Sequence, residues 1–205
     1  MFFVFSLKSH SLEELQRLLK FKFLAQNEFE SWEEVLKRGL ASQPSSEAVK
    51  LGHQFFGKIE AAYIPDVSIR LIDENVGYGL FAEEVIEPGS YVGEYTGLVR
   101  ENDIRKYLGP PNNYCYAYPV PDSLGREFVI DATQGNLTRF INHSFTPNLR
   151  PVHAYFEGFY HLIFLALQRI EKGTQLSYSY GKNYWYLRGV PRQLAKLPAA
   201  EKPPF

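Results

Sequence analysis

Cysteine is almost absent from the 205-residue sequence, and the sequence contains no long apolar run. The one cysteine, Cys115, excludes a disulfide within the chain and any zinc site built from several cysteines, so we expect no metal. The apolar stretch 1–5 (MFFVF) is far shorter than the roughly 20 residues of a membrane-spanning helix, and it lacks the basic flank of a secretory signal. We therefore expect a soluble protein in a reducing compartment, with no membrane partner.

The sequence also lacks an excess of basic residues, and its formal net charge is -1. Residues 1–62 hold eight basic and eight acidic side chains, residues 63–182 hold ten and fourteen, and residues 183–205 hold four and one. A nucleic-acid binder should present a basic face to phosphates. The acidic middle segment argues against direct nucleic-acid binding and is compatible with a basic partner.

Residues 1–62 predict three short amphipathic helices. Ser11 and Glu14 have the spacing of a capping box, and Ser31 with Glu34 repeats it. A third helix is expected to begin at residue 45 or 46 and to run toward residue 56 or 62, and Gly39 is expected to end the second. The expected inward positions are Leu12, Leu15, Leu18, Leu19, Val49, Phe55 and Ile59. We interpret this region as a helical cap that packs on the rest, binds a partner or forms a dimer.

Residues 63–182 predict a mainly β domain. Short β-branched and aromatic runs alternate there with turns rich in glycine and proline, and the runs are VSIRLI, YGLFAEEVI, EFVIDA and HLIFLAL. Residues 183–205 begin with Tyr184, Trp185 and Tyr186 and then become rich in proline. We expect one ordered aromatic segment there, followed by a fraying end.

Four motifs follow one another in the β domain. They are VGYGLF at 76–81, EYTG at 94–97, NLTRFINHSFTPN at 136–148 and GTQLSYSYG at 173–181. The glycines that flank Tyr78 let a backbone turn tightly and lie against a ligand, although such a pair is often only a turn. The third motif is the most specific, and its Asn142 and His143 could also form a plain capped turn.

In this order and spacing, the motifs resemble the SET-domain family of protein lysine methyltransferases, over about residues 67–185. The resemblance implies a β-clip fold of small sheets with a knot-like threading of the C-terminal segment. The chain has no cysteine-rich zinc clusters around the domain, and in this respect it resembles the small stand-alone SET proteins of intracellular bacteria, particularly the chlamydial type. That resemblance implies a bacterial cytoplasmic protein, or an effector secreted into a host cell and nuclear there.

The resemblance also implies the site residues. The donor S-adenosylmethionine, which becomes S-adenosylhomocysteine, would be bound by Gly77, Tyr78, Gly79, Arg139, Asn142, His143 and Trp185. The catalytic residues would be Tyr180, Tyr114 and Tyr178. Tyr180 matches the catalytic tyrosine of the family, and Tyr114 would lie where the lysine channel meets the donor. Tyr178 would limit the number of methyl groups added, favouring monomethylation.

The implied function is transfer of methyl groups to lysines of a basic protein, such as a histone or a bacterial histone-like protein, in chromatin regulation. The sequence departs from the family at Thr174, Gln175 and Ser179, where acidic residues are usual. We expect these departures to affect efficiency and not the type of chemistry. They also support an alternative, a non-catalytic SET-like module that binds basic protein tails.

Overall fold

The computed structural model describes residues 4–6, 10–102, 112–120, 127–182 and 184–185. Its helices are α1 (Leu12–Leu19), α2 (Trp32–Ala41) and α3 (Ser46–Glu60). Its strands are β1 (Val4–Ser6), β2 (Glu28–Phe29), β3 (Val67–Asp73), β4 (Gly77–Ala82), β5 (Tyr91–Glu94), β6 (Leu98–Glu101), β7 (Cys115–Tyr118), β8 (Phe128–Asp131), β9 (Asn142–His143), β10 (Leu149–Phe156), β11 (Phe159–Ala166) and β12 (Ser177–Tyr178). The fold is mainly β, as the sequence predicts.

The strands form small sheets, in the orders β1-β3-β4, β10-β11-β5, β2-β6-β8-β7 and β12-β9. A large apolar core lies between them and includes Leu80, Val99, Ile130, Leu162 and Phe164, all fully buried. A 3-10 helix at Leu137–Phe140 leads into β9. This arrangement brings the ends of β4, the 3-10 helix and β12 together on one side of the core.

The three predicted helices are present, with differences at their ends and faces. Ser11 and Glu14 form the expected capping box of α1. Leu15 is fully buried, but Leu18 is 46% exposed, because α1 contacts the core through a narrower face than the leucine stripe suggests. Helix α2 continues past Gly39 to Ala41, so the prediction of a stop at Gly39 is wrong. A Cβ at Gly39 would lie 1.6 Å from the carbonyl oxygen of Gly158, so this glycine permits close packing.

Helix α3 covers the outer face of the β10-β11-β5 sheet. Phe55 and Ile59 are buried there, as predicted, and pack with Tyr91 and Ile163 in a second apolar cluster. Val49 is only partly buried. Dimerisation through the helical region stays a prediction.

The N-terminal region also contributes strands. β1 pairs antiparallel with β3, and β2 pairs parallel with β6. The main chain between α1 and α2 therefore lies along the β domain as part of its sheets. The boundary at residues 62 and 63 stays a prediction, as does the course of the tail, most of which lies outside the described residues.

The segment 174–178 joins two distant parts of the domain. The Ala82 amide donates to the Thr174 carbonyl oxygen over 3.0 Å, and the Leu176 amide donates to the Leu80 carbonyl oxygen over 2.8 Å. β12 then pairs parallel with β9. The segment thus lies between β4 and β9, and the knot-like threading stays a prediction.

No helix among the described residues has the length and apolar character needed to cross a membrane.

Candidate active site

Two neighbouring cavities form the candidate site. The larger one has a volume of about 980 Å³ and lies beside the turn between β3 and β4. Its walls come from the end of α1, the β3-β4 turn, the 3-10 helix with β9, and the chain after β12. The residues around it are Leu19, Lys20, Asn75, Val76, Gly77, Tyr78, Asn113, Tyr114, Arg139, Phe140, Asn142, His143, Ser144, Phe145, Thr146, Tyr180, Tyr184 and Trp185. Six of the seven residues expected to bind the donor are among them; the seventh, Gly79, is not.

The turn between β3 and β4, here called the glycine turn because it leads into Gly77, forms one wall of this cavity. Asp73 holds the turn, because its Oδ1 accepts the amides of Asn75 and Val76, both over 2.7 Å. Gly77 follows with a φ of +77°, a conformation that glycine adopts without strain. Gly79 lies behind the wall, where a Cβ would approach Ile72 Cδ1 at 2.7 Å.

Asn142 supports the same wall from the other side. Its Nδ2 donates to the Tyr78 carbonyl oxygen over 3.0 Å, so it joins β9 to the glycine turn across the cavity floor. Its main chain is fixed in turn by the parallel pairing with Ser177. The RFINHS and VGYGLF motifs are therefore brought together by a direct contact.

Arg139 is held by aromatic rings and carbonyl oxygens. Its guanidinium carbon lies 4.3 Å from the Tyr114 ring centroid, and its Nε donates to the Ala132 carbonyl oxygen over 2.9 Å. Its Nη2 donates to the Thr133 carbonyl oxygen over 3.1 Å. Burial lowers the pKa of Arg139 from a high normal value, so the group remains a cation. Arg139 thus adds positive charge to the wall.

His143 and Trp185 form an aromatic part of the wall, with ring centroids 4.9 Å apart. His143 Nδ1 accepts the Tyr180 amide over 3.0 Å, which places the proton of the neutral ring on Nε2. His143 Nε2 and Trp185 Nε1 are buried and have no partner among the described residues. Burial lowers the pKa of His143, so the ring is neutral at pH 7.

These features fit the expected donor. Two buried N–H groups beside flat rings suit an adenine, which offers hydrogen-bond acceptors and a face for stacking. The cationic wall suits a carboxylate. Gly77, Tyr78, Asn142, His143 and Trp185 are the residues that would hold the donor; their roles stay predictions.

A smaller cavity of about 490 Å³ lies on the other side of Tyr180. It is lined by Asn113, Cys115, Tyr116, Ala117, Tyr178, Tyr180, Gly181, Lys182 and Tyr184. Three residues line both cavities: Asn113, Tyr180 and Tyr184. The two cavities therefore adjoin at Tyr180, which lies in the wall of both.

Tyr180 is fixed at this junction. Its hydroxyl donates to the Ile141 carbonyl oxygen over 3.0 Å. Burial, with smaller contributions from Tyr184 and Tyr114, raises the pKa of Tyr180 well above 10. The phenol thus keeps its proton at neutral pH, and its oxygen can accept a hydrogen bond but cannot act as a ready base.

Tyr178 forms the inner wall of the smaller cavity, with its ring centroid 4.7 Å from that of Tyr180 and 5.0 Å from that of Phe164. Burial is the main cause that raises the pKa of the Tyr178 hydroxyl, and neighbouring tyrosines such as Tyr95 raise it further. No hydrogen bond from this hydroxyl to a described residue is present, so it is available to a water or a substrate. Tyr114, by contrast, lines only the larger cavity and not the smaller one.

The EYTG motif lies behind the site. Glu94 is buried, and its Oε1 is 2.8 Å from His161 Nδ1 and accepts from Asn27 Nδ2 over 3.0 Å. Thr96 donates to the Leu24 carbonyl oxygen over 2.7 Å. The motif therefore attaches the N-terminal segment to the β domain and does not reach either cavity.

The structure shows the contacts of two residues that depart from the family pattern, Gln175 and Ser179. Gln175 packs against Gly79, where its Nε2 would lie 2.8 Å from a Cβ, and its carbonyl oxygen accepts from Asn148 Nδ2 over 2.8 Å. Ser179 is exposed, and its hydroxyl oxygen accepts the Gly181 amide over 3.4 Å. Neither side chain lines the two cavities.

Sequence reasoning did not assign many of the wall residues to the site, and four of them matter most here. Asn113 and Tyr184 lie at the junction, and Leu19 and Lys20 reach the larger cavity from α1. Tyr184 belongs to the aromatic segment near Trp185, which was a usable signal. Leu19 and Lys20 gave none, because no local pattern shows where a helix end meets a distant sheet.

Comparison with known proteins matches residues 77–181 to the SET domain family. The human histone-lysine N-methyltransferase EHMT1 is 32% identical over 123 residues, covering 56% of this chain and 9% of that protein. The chain thus spans less than a tenth of the length of that relative. The structure titled "ctPRC2 in an autoinhibited conformation bound to S-adenosylmethionine" aligns with a TM-score of 0.51 at 30% identity, covering 61% of this chain and 16% of that one.

A second solved structure, ATXR5 in complex with histone H3.1 mono-methylated on R26, aligns with a TM-score of 0.64. It covers 83% of this chain and 85% of that chain at 18% identity, which bears on the fold alone. The family match covers Gly77, Arg139, Asn142, His143 and Tyr180, which the structure gathers around the larger cavity. The chain belongs to the SET-domain family.

Proposed function

We propose that this chain is a protein lysine N-methyltransferase that uses S-adenosylmethionine and acts on a basic protein, such as a histone or a bacterial histone-like protein. The observation that carries the proposal is the meeting of two cavities at Tyr180. One cavity has the charge and aromatic character of a donor site. The other is a smaller space lined by four tyrosines, Tyr116, Tyr178, Tyr180 and Tyr184.

The comparisons support the proposal. The relative EHMT1 is described as a histone-lysine N-methyltransferase, and the ctPRC2 structure contains S-adenosylmethionine. The ATXR5 structure contains a histone H3.1. The net charge of −4 of residues 63–182, with ten basic and fourteen acidic groups, favours a basic substrate over an acidic one.

The donor, when bound, would supply a methyl group made reactive by its sulfonium. The protein contributes alignment and a dry path between the cavities. A free lysine has a pKa near ~10.4, so its amine must lose a proton before it can act as a nucleophile. Desolvation by Tyr116, Tyr178 and Tyr180 would lower that pKa, because burial disfavours the ammonium form.

Tyr180 would position the amine. Because its proton is donated to Ile141, the oxygen presents lone pairs to a donor group at the junction, such as the N–H of a substrate amine. The raised pKa of Tyr180 argues for this positioning role and against a role as general base.

Tyr178 would limit the number of transfers. Its hydroxyl has no hydrogen-bond partner among the described residues and lines the smaller cavity, so it can hold a water beside the amine. That water would fill the space that a second or third methyl group needs. We therefore expect mainly monomethyl-lysine.

The test is mass spectrometry of eukaryotic histones and a bacterial histone-like protein after incubation with the chain and isotope-labelled donor. A mass gain of one methyl on a lysine, absent when that lysine is replaced by arginine, supports the proposal. Donor binding without methyl transfer to any basic protein would instead support the alternative, a binding module for basic tails.

A further inference from the structure

The donor cavity, defined as the larger cavity above, is partly built by a segment outside the matched residues 77–181. Leu19 and Lys20 line it, and both belong to the end of α1. Lys20 has a φ of +52° and a ψ of +50°, the left-handed conformation in which glycine and asparagine are favoured. A lysine is less favourable than glycine in this backbone conformation. We therefore look for a role of the Lys20 side chain that explains its presence here.

The chain after Lys20 is firmly attached to the β domain. The Phe23 amide donates to Gln16 Oε1 over 2.7 Å, which closes the turn after α1. The Gly135 amide donates to the Lys22 carbonyl oxygen over 3.1 Å, and the Leu24 amide donates back to Gly135 over 3.2 Å. The chain that follows Lys20 is therefore fixed to the β domain beside the cavity that Lys20 lines.

Phe21 places this attachment next to Arg139. Phe21 is 5% exposed, and its ring centroid lies 5.5 Å from that of Phe140 and 5.2 Å from the guanidinium carbon of Arg139. Lys20, the residue before Phe21 in the chain, lines the same cavity as Arg139.

The charges of the cavity wall are of one sign. Among its described lining residues, Lys20 and Arg139 are cations and none is an aspartate or a glutamate. Neither cation forms an ion pair with a described acidic side chain, whereas the adjacent Lys22 lies 3.0 Å from Glu28 Oε1. Arg139 uses Nε and Nη2 on carbonyl oxygens, whereas the exposed ammonium of Lys20 has no hydrogen-bond or ion-pair partner in the part of the chain that the structure describes.

We propose that Lys20 binds the carboxylate of the amino-acid end of the donor, so that the N-terminal segment is part of the donor site. The inference rests on the proposed function, because it takes S-adenosylmethionine as the ligand. Attraction between an exposed ammonium and a carboxylate is modest and weakens with salt. It therefore tunes donor affinity and does not determine the chemistry.

The experiment measures binding of two ligands by calorimetry: S-adenosylmethionine and its decarboxylated analogue, which lacks only the carboxylate. Lys20→Asn removes the cation while keeping a residue that tolerates the left-handed conformation, so the melting temperature should not fall. We expect it to weaken donor binding about threefold to fivefold, the upper part of the range for an exposed ion pair. Binding of the decarboxylated analogue should change less than about twofold.

Two further variants complete the test. Lys22→Asn makes the same change of charge two residues away, at a lysine already paired with Glu28, and should leave both affinities unchanged. Lys20→Arg should restore the preference for the carboxylate. Equal weakening of both ligands by Lys20→Asn, or no weakening of either, would overturn the inference while the proposed function stood. A wild-type chain that binds neither ligand would overturn both.

Discussion

Replacing Tyr180 with phenylalanine is the sharpest test of the assigned site. The change removes the hydroxyl at the junction of the two cavities and keeps the ring that packs against Tyr178 and Tyr184. If the hydroxyl positions the amine in the transition state, turnover should fall by about 100-fold or more, as when one preorganised hydrogen-bonding group is removed from an active site. Donor affinity should change by less than about threefold.

The same substitution has a structural cost that must be separated from catalysis. It leaves the carbonyl oxygen of Ile141, a residue 1% exposed, without its 3.0 Å donor. An unsatisfied buried acceptor costs about 1–3 kcal/mol. For a chain of this length that corresponds to about 2–4 °C in melting temperature per kcal/mol.

Tyr95→Phe is the matched control. Tyr95 is 5% exposed, and its hydroxyl donates to the Tyr114 carbonyl oxygen over 2.9 Å, but it lines neither cavity. Both variants should lose comparable stability by calorimetry, and only Tyr180→Phe should lose turnover in a labelled-methyl assay. Near wild-type turnover of Tyr180→Phe, or an equal loss in both variants, would refute the assignment.

Three further outcomes are expected. Tyr178→Phe should retain activity and shift the products on a single-lysine peptide toward di- and trimethyl-lysine; abundant trimethyl-lysine from the wild type would contradict the role of that hydroxyl. Asn142→Ala should weaken donor binding in calorimetry while the circular dichroism stays native, because it removes the 3.0 Å bond to the Tyr78 carbonyl oxygen; unchanged affinity would argue against the assigned cavity. His143 has a pKa lowered by burial, so the unfolded chain binds its proton more readily, and stability should rise with pH between the folded pKa and about 6.5. Melting temperatures from pH 5 to 7 should rise less steeply in His143→Gln, and identical slopes would show that His143 does not titrate as inferred.

Local patterns were sufficient for part of the fold. The capping box of α1 and the β3 and β11 runs were identified from residue spacing and composition, because hydrogen bonds and packing within one element depend on neighbours in sequence. β10 was not predicted, since Pro151 interrupts its run. The structure tolerates that proline because β10 lies at the edge of its sheet.

The candidate site, like the fold, could be predicted from the sequence only in part. The motif residues were named from the resemblance, and the structure brings Gly77, Asn142 and Tyr180 around one cavity. Lys20 and Asn113 could not be named, because their positions depend on how distant segments pack. Gly79 was assigned to the donor for its lack of a side chain, whereas the structure uses that property for contact with Ile72 and Gln175.

The position of the segment 174–178 has a consequence for synthesis of the chain. Ribosomes make proteins from the N-terminus, so β4 is complete long before its partners at Thr174 and Leu176 leave the ribosome. Until then, the Ala82 amide and the Leu80 carbonyl oxygen lie on an unpaired edge, which other chains can extend by strand pairing. The nascent chain therefore passes through a stage that is prone to aggregation and lacks Tyr180 at the junction.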